Sequence, residues 1–186
     1  ATGGGGVLKA EVYGTDPGIT GQLIFDGLII KAMAYAAAGG YYYDQYVMIN
    51  GAPQVPLGGY STDRYTDYTE EFIRERAKEP DKPWFYWLCY GAVHGPYTPA
   101  ERHIGMLKDK PETAIPADVW GPRPGKPAHF QDSKWKKGED GRPEWKNKPL
   151  DFWVKQQTEA VAAIDESVGR ILKVLEETGQ LDNTII

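Results

Sequence analysis

Trp84-Phe85-Tyr86-Trp87-Leu88-Cys89-Tyr90 is an unbroken run of seven apolar and aromatic residues, and Gly91-Ala92-Val93-His94-Gly95-Pro96-Tyr97 follows it directly. Seven residues are too few for a free-standing helix, and aromatic side chains favour a pleated backbone. The run lacks polar alternation, which predicts a strand covered on both faces, as the central strands of α/β sheets are. Ligands of such sheets bind beyond the carboxyl ends of the strands. His94 stands four residues beyond the run, in a loop shaped by Gly and Pro. An imidazole held there can donate to an anionic oxygen or help to protonate a leaving group. On these grounds alone, a structural or surface histidine remains the alternative.

Working upstream, Pro80 and Pro83 enclose a turn. Before it, Tyr65, Tyr68, Phe72 and Ile73 recur at helical spacing behind Thr62 and Asp63, whose oxygens suit an N-cap, so a helix is expected over about 63–77. Tyr46-Val47-Met48-Ile49 runs into Asn50-Gly51, a hairpin signal. Residues 1–40 are Gly-rich at Gly3 to Gly6 and Ala-rich at Ala34 to Ala38, and read as linker or irregular loop. The glycine run lacks the spaced glycines and the Lys-Ser/Thr pair of a phosphate loop.

Downstream, five prolines lie between Pro111 and Pro127, and residues 108–149 read as a long loop excursion. Its aromatics Trp120, Phe130, Trp135 and Trp145 predict that it packs down on something. Lys108 to Lys148 holds ten Lys/Arg against seven Asp/Glu, about +3 in a chain of net charge −5. A solvated mixed-charge loop accounts for this. The strongest helix comes last, with Val154, Val161, Ile164, Val168, Ile171, Leu172 and Leu175 on one face and Gly179 as C-cap. Thr184-Ile185-Ile186 then starts a strand. Helix, buried strand, long loop, helix and strand make an α/β order.

Length and composition bound this reading. The 186 residues suit one domain, and 41% hydrophobic with 25% charged residues is a globular composition. Acidic net charge argues against a nucleic-acid binder. Cys89 cannot form an internal disulfide and is assigned to packing inside the apolar run. Leu23 to Ala38 is broken by Asp26 and Lys31 and is shorter than the ~20 residues that cross a bilayer, so no membrane span is expected. The start has no initiator Met and no signal-peptide pattern.

Three blocks together resemble the formylglycine-dependent sulfatases, the arylsulfatase-like members of the alkaline phosphatase superfamily. The first is the aromatic run leading into Gly91-Ala92-Val93-His94-Gly95-Pro96, with Glu101-Arg102 beyond. The second is Asn50-Gly51 followed by Tyr60-Ser61-Thr62-Asp63, Thr66-Asp67 and Phe72-Ile73. The third is Ala163-Ile164-Asp165-Glu166-Ser167-Val168-Gly169-Arg170-Ile171-Leu172 with Leu181-Asp182-Asn183-Thr184. The resemblance covers roughly 41–107 and 150–186. It implies a partial catalytic domain: part of a mixed α/β sheet flanked by helices, incomplete in this chain. It further implies a sulfuric ester hydrolase acting on sulfate esters, with carbohydrate as the expected substrate, a formylglycine nucleophile, a bound divalent cation that is usually calcium, and a periplasmic or secreted setting. His94 matches the family histidine that hydrogen-bonds sulfate and assists the leaving oxygen, and is the expected catalytic residue. Tyr97 and Arg102 are close enough in sequence to join it in substrate binding. A phosphate or phosphonate ester hydrolase of the same superfamily and a non-catalytic fragment are the alternatives.

The departures from the family are as informative. No Cys-x-Pro-Ser-Arg or Ser-x-Pro-Ser-Arg motif occurs, so the formylglycine precursor is absent from this sequence, and so are the family's metal-binding Asp pair and its Lys-x-His segment. Asp63 and Asp67 read as helix-start residues, Asp165 and Glu166 as solvated or helix-packing groups, and His103 and His129 as surface histidines. No metal ligand is assigned. Expressed alone, the chain is therefore expected to hydrolyse no aryl sulfate and to be poorly soluble, because a buried strand needs neighbours at both edges. A sharp cooperative melt from a monodisperse monomer, or measurable turnover, would contradict this.

Overall fold

The computed structural model describes residues 24–25, 28–29, 33–36, 41–43, 45–49, 53, 55–116, 118–131 and 134–186. The Gly3 to Gly6 run and the Asn50-Gly51 turn lie outside them. The chain divides into two compact units, 1–94 with 163–186 and 95–162.

In the first unit β1 (Ile24–Phe25) pairs antiparallel with β2 (Leu28–Ile29). A separate antiparallel sheet runs β3 (Met33–Ala36), β4 (Tyr46–Ile49), β5 (Val55–Pro56), with Val47 opposite Val55. α1 (Ser61–Arg76) then matches the expected helix, starting two residues earlier. Its N-cap is Tyr60, with no side-chain cap bond, so Thr62 and Asp63 lie inside the first turn instead of capping it. The buried residues Ser61, Thr62, Tyr65, Thr66, Thr69, Phe72 and Ile73 recur every three to four positions and form one inward face. Two of its three threonines return their hydroxyls to the helix: Thr66 donates to the Thr62 carbonyl and Thr69 to the Tyr65 carbonyl, both at 2.7 Å.

That face meets the carboxyl-terminal part of α2 (Leu150–Glu177), from Ala163 onward. Ile73, Val174 and Leu175 form a buried cluster, with Trp84, Ile171 and Leu181 packed on it. Burying Phe72, only 1% exposed, stabilises the unit by about 1.5–3 kcal/mol. Arg170 bridges the helices by donating to Glu70 and Asp67, both at 2.7 Å; partly exposed pairs of this kind contribute about 0.2–1 kcal/mol each. The α2 face matches the expected one in Leu175, which is buried, and Ile171, which packs on the cluster, and differs elsewhere. Val161, Val168 and Leu172 are 42, 43 and 38% exposed, while Ala163 and Ser167 are buried beside Val174 and Leu175. Small residues let the two backbones approach, and this outweighs the larger apolar stripe. Asp165 and Glu166 are exposed, as expected. At the end of the helix Gly179 takes φ +67°, and Gln180 N–H bonds back to the Leu175 carbonyl at 2.8 Å, the predicted glycine stop.

The aromatic run departs from its expected two-sided burial. Trp84 makes only an isolated bridge, and no described strand flanks 85–90. The segment is extended, so side chains alternate. Trp84 and Tyr86 lie against Phe72, Leu88 and Tyr90 against the Val47, Leu57 and Tyr65 cluster, while Phe85, Trp87 and Cys89 are exposed. The helices cover one face only, and Cys89 is therefore not the packing residue expected.

The second unit carries the proline-rich excursion, which is more ordered than a loop. β6 (Lys136–Lys137), β7 (Pro143–Trp145) and β8 (Lys148–Pro149) form an antiparallel meander. Trp145 pairs with Lys148, and the two residues between them, Lys146 and Asn147, sit at φ 50° and 58°, the positive angles of a two-residue hairpin turn. Gln131 fastens the earlier part, accepting from the Arg123 N–H at 2.9 Å and donating to the Arg123 and Lys126 carbonyls at 2.7 Å. His103 is buried at 7% exposure, not a surface residue, because the short 3-10 turn Glu101–His103 tucks it inward; His129 is exposed as expected.

Asp151, in the first turn of α2, accepts from the Thr113 N–H at 2.9 Å and hydroxyl at 3.0 Å and pairs with Lys155 at 2.9 Å. The Lys155 hydrogen bond foremost, then the Thr113 donors, hold its carboxyl below the ordinary 3.8. A folded-state value below the unfolded one adds stability that is present above pH 3.8 and lost as pH falls through the folded value. Asp151→Asn is thus expected to lower stability at pH 7 by about 0.5–1.5 kcal/mol, with the difference from wild type shrinking towards pH 2 in urea unfolding.

Candidate active site

His94 closes the loop that the aromatic segment launches. Its N–H bonds to the Gly91 carbonyl at 2.9 Å, making a tight turn, and its carbonyl accepts from the Tyr42 hydroxyl at 2.5 Å. The imidazole stacks on the Tyr41 ring, centroids 4.1 Å apart and planes 26° from parallel. Main chain and ring plane are both fixed, while the residue stays exposed.

The tyrosines are in turn held by the start of α1. The Ser61 N–H donates to the Tyr42 carbonyl and the Ser61 hydroxyl to the Tyr41 carbonyl, both at 2.8 Å. Gln45 joins the same segment to the helix, accepting from the Tyr65 hydroxyl at 2.7 Å. Tyr60 stacks near Tyr42, 5.9 Å between centroids, and meets Tyr43 edge-on at 5.2 Å. Burial pushes its phenol well above the usual range, with Tyr42, Tyr43 and Asp63 adding to the effect, so it stays protonated. Gly91 is required for the close approach: a Cβ there would lie 2.7 Å from the Tyr41 carbonyl oxygen.

Tyr97 and Arg102 belong to the second unit. Tyr97 is half-buried at φ 60°, an uncommon angle for a bulky side chain, and meets Trp153 edge-on with centroids 6.0 Å apart. It lines a cavity of about 490 Å³. Arg102 is exposed in the 3-10 turn and takes no part in that cavity. Two features escaped the sequence reading. The His94 strap is made by Tyr41 and Tyr42, whose signal was the Tyr41-Tyr42-Tyr43 triplet, and Trp153 was hidden among the apolar residues that open α2. Among the described residues no group of three or more His, Cys, Asp or Glu could hold a metal ion, and no helix is long and apolar enough to cross a membrane.

The model of the Sulfatase family matches residues 22–186. The chain belongs to the sulfatase family. It is 29% identical over 201 aligned positions to the N-acetylglucosamine-6-O-sulfatase of Bacteroides thetaiotaomicron, covering 79% of this chain and 35% of that protein. It is also 29% identical over 154 positions to the uncharacterized sulfatase YdeN of Escherichia coli, covering 83% and 20%. This sulfatase chain thus spans about a third or less of the curated relatives' length. Among solved structures, BT4656 in complex with its substrate D-glucosamine-2-N,6-O-disulfate aligns with TM-score 0.60 at 21% identity, covering 84% of this chain and 45% of that one. Ps i-CgsB bound to a neocarrahexaose aligns at 0.53 and 17%, covering 83% and 30%. At these identities the match fixes the fold, the alkaline-phosphatase-like α/β architecture that the sequence led us to expect.

Two glycines separate the demand of the sulfatase loop from ordinary helix propensity. Gly91→Ala is expected to lower stability by about 1–3 kcal/mol, since backbone must move. Gly169→Ala, an exposed helical position with nothing within 4 Å of the new Cβ, is expected to raise it by about 0.5–1 kcal/mol. Denaturant midpoints of the two variants check both signs.

Proposed function

We propose that the protein carrying this chain hydrolyses sulfate esters of carbohydrates, and that His94 is its catalytic residue in the sulfate-binding site. The observation that carries this reading is the immobilised His94: backbone pinned by Gly91 and Tyr42, ring stacked on Tyr41, on a loop directly after the aromatic segment. A histidine held in that way can donate to a sulfate oxygen and pass a proton to the departing sugar oxygen as the S–O bond breaks. Family membership supports the reaction class, and the names of the relatives, a glucosamine-type sulfatase among them, support a sulfated sugar.

The family's formylglycine and divalent cation supply the nucleophile and withdraw charge from sulfate. Neither is assigned to residues of this chain. The sequence has no formylglycine motif, and calcium, the ion we propose for the whole protein, finds no ligand set among the described residues. Tyr97 and Arg102 are retained as proposed substrate-binding residues.

The test is turnover by the full-length protein of an aryl sulfate, a 6-O-sulfated N-acetylglucosamine and the matching phosphate esters, supplied with calcium. Sulfate-ester hydrolysis is expected, with kcat reduced about 10²–10⁴-fold in His94→Ala while the melting temperature holds. Unchanged kcat would remove His94 from the chemistry. Hydrolysis of the phosphate esters alone would replace the sulfatase reaction with phosphoesterase activity.

A further inference from the structure

The two backbone bonds of His94 fix its main chain but not the plane of its imidazole, because the last torsion of a histidine side chain is broad and roughly two-fold. His94 is exposed, and at an exposed position a ring held by its main chain alone changes orientation within nanoseconds. The contact that sets the plane comes from Tyr41, whose ring lies 4.1 Å away, centroid to centroid, and 26° from parallel.

The kind of contact matters to the chemistry. A hydrogen-bonding brace occupies one of the two ring nitrogens, the atoms that give or take the proton. A stacked phenol touches the face of the imidazole and does not use the edge that carries both nitrogens. Main chain and side chain of Tyr41 also divide their work. Its carbonyl accepts from the Ser61 hydroxyl at 2.8 Å, and the Gln45 side-chain amide donates to the same oxygen at 3.4 Å. That carbonyl is also the group that Gly91 approaches so closely. The backbone of residue 41 therefore ties the strap to α1. Its ring is half-buried and belongs neither to the apolar cluster on Val47 nor to that on Ile73. A change of side chain at 41 thus leaves the acceptor of those bonds in place and removes the face against His94.

We propose that Tyr41 is a positioning residue of the sulfatase reaction: it acts through His94, holding the imidazole plane before the ester arrives, and takes no part in proton transfer itself. The inference rests on the function proposed above, and a double-mutant cycle separates the failure of one from the failure of the other.

The experiment measures aryl sulfate turnover by the full-length protein, supplied with calcium, for Tyr41→Leu, Tyr41→Phe, His94→Ala and the double variant of Tyr41→Leu with His94→Ala. Tyr41→Leu is expected to lower kcat about ten- to hundredfold, the loss that a misplacement of ~1 Å brings, with KM within about twofold of wild type. Tyr41→Phe keeps the ring face and should hold kcat within about threefold of wild type. In the His94→Ala background Tyr41→Leu should cost nothing further, whereas damage to the fold would cost the same factor in both backgrounds. The His94 ring-proton resonances, assigned by their loss in His94→Ala, read the stack without turnover: the ring current of residue 41 should shift them upfield in wild type and Tyr41→Phe but not in Tyr41→Leu. Should Tyr41→Leu fail to fold, Tyr41→Met, unbranched and adaptable, makes the same comparison. Undiminished kcat in Tyr41→Leu, equal losses in the Leu and Phe variants, the same further loss on top of His94→Ala, or His94 resonances unmoved by Tyr41→Leu would each overturn the proposal. If His94→Ala keeps its kcat, the catalytic reading falls and takes this one with it; a loss in His94→Ala with none in Tyr41→Leu removes Tyr41 alone.

Discussion

The seam between α1 and the end of α2 is the constraint from which the first unit follows. Ser61, Thr62, Thr66 and Thr69 on α1 and Ala163 and Ser167 on α2 are small, so the helices come close enough for Thr66 and Ser167 to share a hydrogen bond at 2.5 Å. Tyr90 adds its hydroxyl to Ser167. A buried polar cluster is tolerable only when its members satisfy one another, and this one also sets where the aromatic segment ends. One residue later comes Gly91. The same α1 begins at Ser61, which holds Tyr41 and Tyr42. Both sides of the strap around His94 are thus hung from one helix pair.

Periodicity made α1 and α2 legible, since a 3.6-residue repeat appears in the sequence whatever the helix packs on. It placed Ile171 and Leu175 correctly on the inward side of α2 but did not reveal the small residues that share it. Val161, Val168 and Leu172 carry the larger hydrophobic signal, but Ala163 and Ser167 carry the contact, because closeness of approach is a property of the pair and not of either helix. Cys89 and His103 were misread in opposite directions for a related reason. Cys89 sits in an apolar run yet on its outward-facing side, whereas His103 is polar yet turned inward by three residues of 3-10 helix. Single-residue burial depends on the phase of the backbone, which composition does not carry.

The proline-rich excursion shows a different limit. Trp120 and Phe130, taken for a signal that it packs down, are exposed, whereas Trp135 and Trp145 gave that signal correctly. How they converge was not visible, because that depends on the Lys146-Asn147 turn, which reverses the chain at Trp145, and on Trp153 arriving from the first turn of α2. Asp151 and Thr113 tie that turn to the excursion, and Arg142 reaches back to the Thr113 carbonyl and Glu112. Here a scatter of prolines and charges, which reads as loop, is stapled by side-chain-to-backbone bonds that no periodic pattern announces.

The resemblance led us to propose His94 as the site residue, and its geometry supplies a physical reason for that proposed role. Both hydrogen-bonding groups of the His94 main chain are engaged within the loop and strap, and the ring is braced by a face-to-face contact, which limits rotation. A side chain proposed to meet the singly charged sulfate group of an ester works best when its orientation is set before the ligand arrives, since little reorganisation is then needed during the reaction. The tyrosine strap does this through the Tyr41 ring and the Tyr42 hydroxyl, and the neighbouring Tyr60 is kept protonated by burial. An anion approaching His94 therefore meets an imidazole already held against an aromatic brace.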